Sequence, residues 1–137
     1  MIVLDASVII KWILDDESQS GSALIYRDQH FAGINRIAVP ELLFYEIANV
    51  LATKTSLSQE EALEEFALID ESELEGYSLG AKEFSEAIAL SKRFKISIYD
   101  SSYIILAAGL KCDFITADKQ LVTKVKSLNY VKFLRGL

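Results

Sequence analysis

The chain has 137 residues, of which 51% are hydrophobic and one is proline, so it holds enough apolar material for one hydrophobic core but not for two. A single cysteine, Cys112, and a single histidine, His30, exclude a disulfide framework, a zinc site of cysteine and histidine ligands, and catalysis by paired histidines. The formal net charge of −6 argues against a protein that binds nucleic acid by phosphate neutralisation alone.

The charge is unevenly distributed along the chain. Residues 1–75 contain 15 acidic and 4 basic residues, a net charge of −11, whereas residues 76–137 contain 5 acidic and 10 basic residues, a net charge of +5. The second part could therefore face a polyanion, although scattered lysines also form an ordinary solvated surface. The stretch 60–75 has eight acidic residues and no basic one, and we expect it to be the solvated face of a helical pair.

The composition also bears on where the protein works. No apolar run approaches the roughly 18 residues that a membrane span requires, and the chain begins with a strand-like run instead of a secretion signal. The lone Cys112 is typical of a reducing compartment. No repeat or linker-like stretch divides the sequence. We therefore expect one domain over residues 1–137 in a cytoplasmic protein.

Short apolar runs alternate with longer segments of helical periodicity. Runs 2–4, 37–39 and 114–116 lack polar alternation, which predicts strands buried on both faces of a parallel sheet. A last strand is predicted near 131–134, and 70–78 leaves open one more short strand around Leu74. Helices are predicted over 20–31, 41–54, 58–69, 81–94, 101–110 and 119–127.

This order predicts an α/β domain, a mostly parallel sheet of four to five short strands flanked by helices and joined by right-handed crossovers. Such sheets bind ligands beyond the carboxyl ends of their strands. Asp5 closes the first strand, Asp100 precedes the helix predicted at 101–110, and Asp118 follows the strand at 114–116, so all three are expected at that end. Helix capping by aspartate explains each position alone. It does not explain why they meet, since clustered carboxylates repel one another.

A fourth acid, Glu46, lies at the edge of the apolar stripe of its predicted helix, next to Leu42, Leu43 and Val50. A carboxylate there faces the rim of the sheet, and no cap accounts for it. Four converging acids suit Mg²⁺ or Mn²⁺, which prefer oxygen ligands, and such an ion can activate water against a phosphodiester. The sequence leaves open whether one ion or two bind.

Five segments in this order resemble PIN domains of the VapC group over nearly the whole chain. They are Asp5-Ala-Ser7 followed by Lys11 and Trp12, then Asp16-Glu17, then Pro40 to Glu46 with Asn49, then Tyr99-Asp100 to Ala107, and Thr116-Ala-Asp118 with Leu121. The resemblance implies a metal-dependent endoribonuclease whose four acids are Asp5, Glu46, Asp100 and Asp118, and whose products carry a 5′-phosphate and a 3′-hydroxyl.

The same resemblance implies further partners and supporting residues. It implies a homodimer, which we expect to use apolar surface of the first or neighbouring helices, and a small antitoxin protein that covers the site. Ser7, Asn49 and Thr116 fall beside the family acids and could orient ligands or water. They could equally be local partners of the backbone.

Other conspicuous residues are expected to have ordinary roles. Trp12 is expected to pack in the core or a dimer interface. Turn or solvated positions are expected for four acids, Asp15, Asp16, Glu17 and Asp113, and a surface position is expected for His30.

Two other classes of function compete with the nuclease. A receiver-like signalling domain also places acids and Mg²⁺ at strand ends, but it would have paired acids after its first strand and an aspartate ending a central strand, neither of which is found. A catalytically silent PIN-fold module that binds RNA or protein would be marked by loss of one of the four acids, and none is lost.

Overall fold

The computed structural model describes residues 1–14 and 20–135 and contains a parallel sheet flanked by helices. The strands are β1 Ile2–Leu4, β2 Ile37–Pro40, β3 Glu75–Tyr77, β4 Asp113–Thr116 and β5 Val131–Phe133. The helices are α1 Ala6–Ile9, continued by a 3-10 turn over Ile10–Trp12, then α2 Ser20–Phe31, α3 Leu42–Thr53, α4 Gln59–Glu71, α5 Ala81–Phe94, α6 Ile98–Leu110 and α7 Lys119–Lys124. Asp15, Asp16 and Glu17 lie outside the described residues.

The five strands have the order β3-β2-β1-β4-β5, and each neighbouring pair is parallel. Val3 in the central strand pairs with Ala38 on one side and Phe114 on the other, and it is fully buried. Burial on both faces explains why these strands show no polar alternation. The predicted α/β class and parallel sheet are confirmed, and the uncertain region around Leu74 contributes the edge strand β3.

Helix α6 is the most buried helix of the described fold. Its residues 101–107 are all buried, and it packs against β1, β2 and β4. The helix begins three residues earlier than predicted, so Asp100 lies inside its first turn and not before it. The reason is Ser97, whose hydroxyl accepts a hydrogen bond from the Asp100 amide at 3.0 Å and caps the helix. The polar residues Ser97, Tyr99 and Asp100 hid this boundary from the sequence pattern.

The acidic stretch behaves as expected, since α4 packs against α3 and begins with a capping box between Ser58 and Glu61. Asp113, expected to be solvated, forms a 2.7 Å ion pair with Lys132 of the neighbouring strand. No helix in the described parts of the chain is both long and apolar enough to cross a membrane.

The surface position predicted for His30 is wrong. His30 is 1% exposed and bridges three parts of the fold. Its Nδ1 accepts a hydrogen bond from the Ile37 amide at 3.0 Å, so its Nε2 is the donor to the Ser72 carbonyl oxygen at 2.8 Å. The neutral imidazole thereby joins the end of α2 to the start of β2 and the end of α4. The sequence pattern does not reveal the hydrogen-bond partners of this histidine, because both are backbone groups.

We expect His30→Ala to lower the free energy of unfolding by about 2 kcal/mol, since two buried backbone groups lose their partner and a cavity remains. Urea unfolding at pH 7 measures this, with Arg27→Ala on the exposed face of α2 as the control. A loss no larger than that of the control would show that water or a neighbouring group replaces the imidazole.

Candidate active site

Asp5 is the buried centre of the site. It follows β1 directly and is 7% exposed. The Ser7 hydroxyl donates to its Oδ1 at 2.5 Å, and the Thr116 hydroxyl donates to its Oδ2 at 2.6 Å. Both carboxylate oxygens therefore have a donor, which fixes the orientation of this side chain at the end of the sheet.

The same two hydroxyls join the loops that follow β1 and β4. The Ser7 oxygen accepts from the Ala117 amide at 3.0 Å, and the Thr116 oxygen accepts from the Asp118 amide at 3.1 Å. Ser7 and Thr116 therefore combine the two roles considered from the sequence, since each serves the backbone and also holds a carboxylate. Asn49 is different: it is exposed, and its side-chain oxygen is 3.4 Å from the Thr53 hydroxyl, one turn further along α3.

Helix capping accounts for only one of the three aspartates. Asp5 precedes α1, but its side chain makes no capping hydrogen bond. Ser97 caps α6 in place of Asp100. Asp118 does cap α7, because its Oδ1 accepts from the Leu121 amide at 3.1 Å. The location of Asp5 and Asp100 at this end of the sheet therefore needs another explanation.

Glu46 is held by a residue that the sequence reasoning missed. The hydroxyl of Tyr103 donates to Glu46 Oε1 at 2.7 Å. Tyr103 is 1% exposed, and its ring stacks on Phe114 with centroids 5.6 Å apart. A signal was available, because Tyr103 follows Asp100 by three residues and so lies one helical turn away on the same side of α6.

The four acids influence one another electrostatically. The pKa of Asp5 is raised to about 6, chiefly by burial. The hydrogen bonds from Ser7 and Thr116 lower it, and the charges of Glu46 and Asp100 add smaller increases. Burial also raises the pKa of Glu46, and the nearby Asp100 charge adds to this. The pKa of Asp100 is raised by burial and then by the charge of Asp118. Carboxylates of like charge thus lie near one another in a partly desolvated site.

The donor chemistry fits a hard divalent cation, since the cluster offers carboxylate oxygens and its members disfavour one another's ionised forms. The side chains are not yet arranged around an ion: within residues 1–14 and 20–135, no three histidine, cysteine, aspartate or glutamate side chains are grouped closely enough to hold one. Glu46 and Asp118 each accept a hydrogen bond through one carboxylate oxygen, from the Tyr103 hydroxyl and from the Leu121 amide.

A parallel α/β fold with acids gathered beyond the carboxyl ends of β1 and β4 defines a class of protein with an acidic site at a sheet end. Within that class, the model of the PIN domain family matches residues 2–126, so the chain belongs to the PIN domain family. This match favours the PIN interpretation over the receiver-like one.

Solved structures with a similar fold include three from different organisms. A protein from Pyrobaculum aerophilum has 18% sequence identity and a TM-score of 0.70 over 96% of this chain and 82% of that one. VapBC2 from Rickettsia felis, bound to a DNA fragment from its promoter, has 16% identity and a TM-score of 0.68 over 97% of both chains. Mycobacterium tuberculosis VapC20, a sarcin-ricin loop cleaving toxin, has 12% identity and a TM-score of 0.68 over 90% of this chain and 94% of that one. No curated protein sequence gives a significant match.

Proposed function

We propose that the chain is a metal-dependent endoribonuclease of the VapC type, with Asp5, Glu46, Asp100 and Asp118 as the ligands of Mg²⁺ or Mn²⁺. The observation that carries the proposal is the proximity of these acids, which come from four different parts of the chain. Asp5 and Asp118 are joined through the Thr116 hydroxyl, and Asp100 and Asp118 line one cleft. The charge of Asp100 raises the pKa of Glu46. The PIN family match and the likeness in fold to VapC20 support it.

The side chains divide into fixed and adjustable members. Asp5 is fixed by Ser7 and Thr116, and Glu46 is held by Tyr103, so these two provide an oriented base for the site. Asp118 is exposed and Asp100 is half-buried, which supports a role for both on the side from which RNA would approach. A divalent ion held by these acids would activate a water molecule against the phosphodiester and offset charge on the phosphate oxygens. Desolvation of Asp5 strengthens its interaction with any cation.

Incubation of purified protein with a mixture of structured and single-stranded RNAs tests this function. We expect cutting with Mg²⁺ or Mn²⁺ and none with chelator, and we expect products that carry a 5′-phosphate and a 3′-hydroxyl. Mn²⁺ binding without any cutting would favour the silent PIN module. Cutting that persists in chelator would contradict the metal-dependent mechanism.

Tyr103→Phe tests whether the Glu46 side chain is positioned for metal binding. The variant keeps the buried ring and its stacking on Phe114 but removes the donor to Glu46. We expect an affinity for Mn²⁺ about 10-fold lower, as is typical when a hydrogen-bond partner of a metal ligand is lost. Calorimetric titration measures the change, with Tyr130→Phe as the control. Unchanged affinity would show that Glu46 needs no fixed orientation to bind the ion.

We also propose that the nuclease is a toxin held inactive by a cognate antitoxin protein that covers the acidic site. The likeness in fold to VapBC2 and to a toxin-antitoxin complex from Klebsiella pneumoniae supports this. Expression of the chain alone in a bacterial host should arrest growth, and expression of Asp100→Asn should not. Arrest of growth by both would point to a cause other than RNA cleavage.

The proposed homodimer is best placed on α3, α5 and α6. Trp12 of the first helical segment packs against the core, and its Nε1 donates to the Ala23 carbonyl oxygen at 2.9 Å. Exposed aromatic side chains instead line a cleft of about 360 Å³ between these three helices, namely those of Tyr45, Phe84 and Tyr99. Contiguous apolar surface of this kind is typical of an interface.

We expect Ile88→Glu to convert a dimer to a monomer. Ile88 is 54% exposed and lies one turn from Phe84 on α5, so a charge there would be buried against the second copy. Light scattering at high protein concentration measures the mass. Leu63→Glu is the control, because Leu63 is 62% exposed on α4, outside the cleft. A monomeric wild-type protein, or dissociation by Leu63→Glu alone, would contradict this placement.

A further inference from the structure

Two lysines share a small polar cleft with two of the four acids. The cleft has a volume of about 110 Å³. It is lined by Lys95, Ser97, Asp100, Asp118, Gln120 and Lys124, with Ile96 and Leu121 beneath. The lysines come from different elements, since Lys95 is the C-cap residue of α5 and Lys124 is the last residue of α7. Lys124 Nζ lies 3.5 Å from the Lys95 carbonyl oxygen, which brings the two segments together.

The net charge in and around this cleft depends on whether a metal ion is bound to the acids. Asp100 and Asp118 balance Lys95 and Lys124, so the four side chains together are neutral. A divalent cation at the site would offset two of the four negative charges of Asp5, Glu46, Asp100 and Asp118, and the two lysines would offset the other two. An anion that approaches the loaded site then meets two exposed ammonium groups beside it. Lysine is a common partner of phosphate oxygens as a flexible point charge.

The backbone conformation at Lys95 provides a matched control for its side chain. Lys95 has φ 56° and ψ 49°, the left-handed conformation in which helices usually place glycine at this position. Lys111 ends α6 in nearly the same conformation, with φ 55° and ψ 48°. Helix α6 has 13 residues and is about 20 Å long, so Lys111 lies far from Asp100 at its other end. The chain thus contains a matched pair of lysines, one inside the cleft and one remote from it.

We propose that Lys95 and Lys124 form a binding subsite for a phosphate of the RNA strand next to the phosphodiester at the acids. The inference rests on the proposed nuclease function and adds a phosphate-binding contact between that same site and its RNA substrate. Lys119 is a poor candidate for this role because its Nζ lies over the ring of Phe133, 5.3 Å from the ring centroid.

The test measures binding of a fluorescein-labelled, single-stranded 12-nucleotide RNA by anisotropy over a range of KCl concentrations. All variants are made in an Asp100→Asn background, so that no RNA is consumed. We expect Lys95→Gly and Lys124→Gln each to weaken binding at least about 3-fold and to reduce the slope of log K against log salt by about 0.7, the value for one phosphate contact on a single strand.

Two matched controls separate this role from a structural one. Lys111→Gly removes the same residue type from the same backbone conformation, and Lys126→Gln removes an exposed lysine two residues beyond Lys124. Lys95→Gly and Lys111→Gly should both leave the thermal midpoint unchanged or raise it, while only Lys95→Gly weakens RNA binding. Equal binding by the cleft variants and their controls, or no RNA binding by any of them, would overturn the proposal. Lysine-dependent binding in a protein whose wild type does not cut RNA would support the subsite and contradict the nuclease.

Discussion

Replacement of Asp100 by asparagine is expected to reduce RNA cleavage more than about 100-fold. Loss of a metal ligand should cost more activity than loss of a residue that only hydrogen-bonds to a ligand. The side chain keeps its size, and the Asp100 amide keeps its hydrogen bond to Ser97, so α6 should begin at the same residue. The change removes one of the charges that repel Asp5 and Glu46. The metal-free variant should therefore be at least as stable as the wild-type protein.

Asp113→Asn is the matched control for this experiment. Asp113 begins β4 and pairs with Lys132, whereas the acidic site lies beyond the other end of that strand. Initial rates of RNA cleavage in Mg²⁺ should be close to wild type for Asp113→Asn. Cleavage by Asp100→Asn at the rate of this control would remove Asp100 from the proposed ligands.

Asp5→Asn is expected to make the metal-free protein more stable while it abolishes cleavage. The pKa of Asp5 is raised to about 6 from its ordinary value of 3.8, so the folded protein binds a proton that the unfolded chain releases. Ionised Asp5 therefore costs stability above pH 6, and the cost disappears as the pH falls towards 4. A shift of this size corresponds to about 3 kcal/mol at pH 7. Asparagine carries no charge. The hydroxyl that faces its amide oxygen can still donate, and the hydroxyl that faces its NH2 group can turn to accept.

Urea unfolding of both proteins in chelator from pH 4 to pH 8 measures this effect. The difference in the free energy of unfolding between Asp5→Asn and wild type should grow between pH 4 and pH 6 and stay constant above. Addition of Mn²⁺ should stabilise the wild-type protein and leave the variant unchanged, because bound ligand stabilises only the state that binds it. A variant less stable than wild type at every pH would mean that the hydrogen bonds to the carboxylate outweigh its desolvation.

The fold was predictable from the sequence where burial produces a simple pattern of apolar residues. Strand β1 and helices α2 and α5 have the predicted bounds, since uniform apolar runs and helical periodicity mark them. Strand β3 was left open because Glu75 and Gly76 give an edge strand little apolar character. Helix α7 ends at Lys124, three residues before the predicted end.

The candidate site was predictable from topology more than from local motifs. The carboxyl ends of the parallel strands β1 and β4 bring Asp5 and Asp118 to one end of the sheet, which the strand order alone implied. The spacing from Asp100 places Tyr103 on the same side of α6, but its contact with Glu46 depends on how α6 packs against α3, which the sequence pattern does not reveal. The same limit applied to His30, whose two partners are backbone groups of distant segments.

Titration of Mn²⁺ into the metal-free protein tests most directly whether the four carboxylates hold a metal. Isothermal calorimetry at pH 7 gives both the affinity and the number of ions, with Glu46→Gln as the comparison and Asp113→Asn as the control. We expect one or two ions to bind the wild-type and control proteins, and the affinity of Glu46→Gln to fall by more than about 10-fold. Equal Mn²⁺ binding by Glu46→Gln and wild type, or no binding by the wild-type protein, would contradict the proposed metal site.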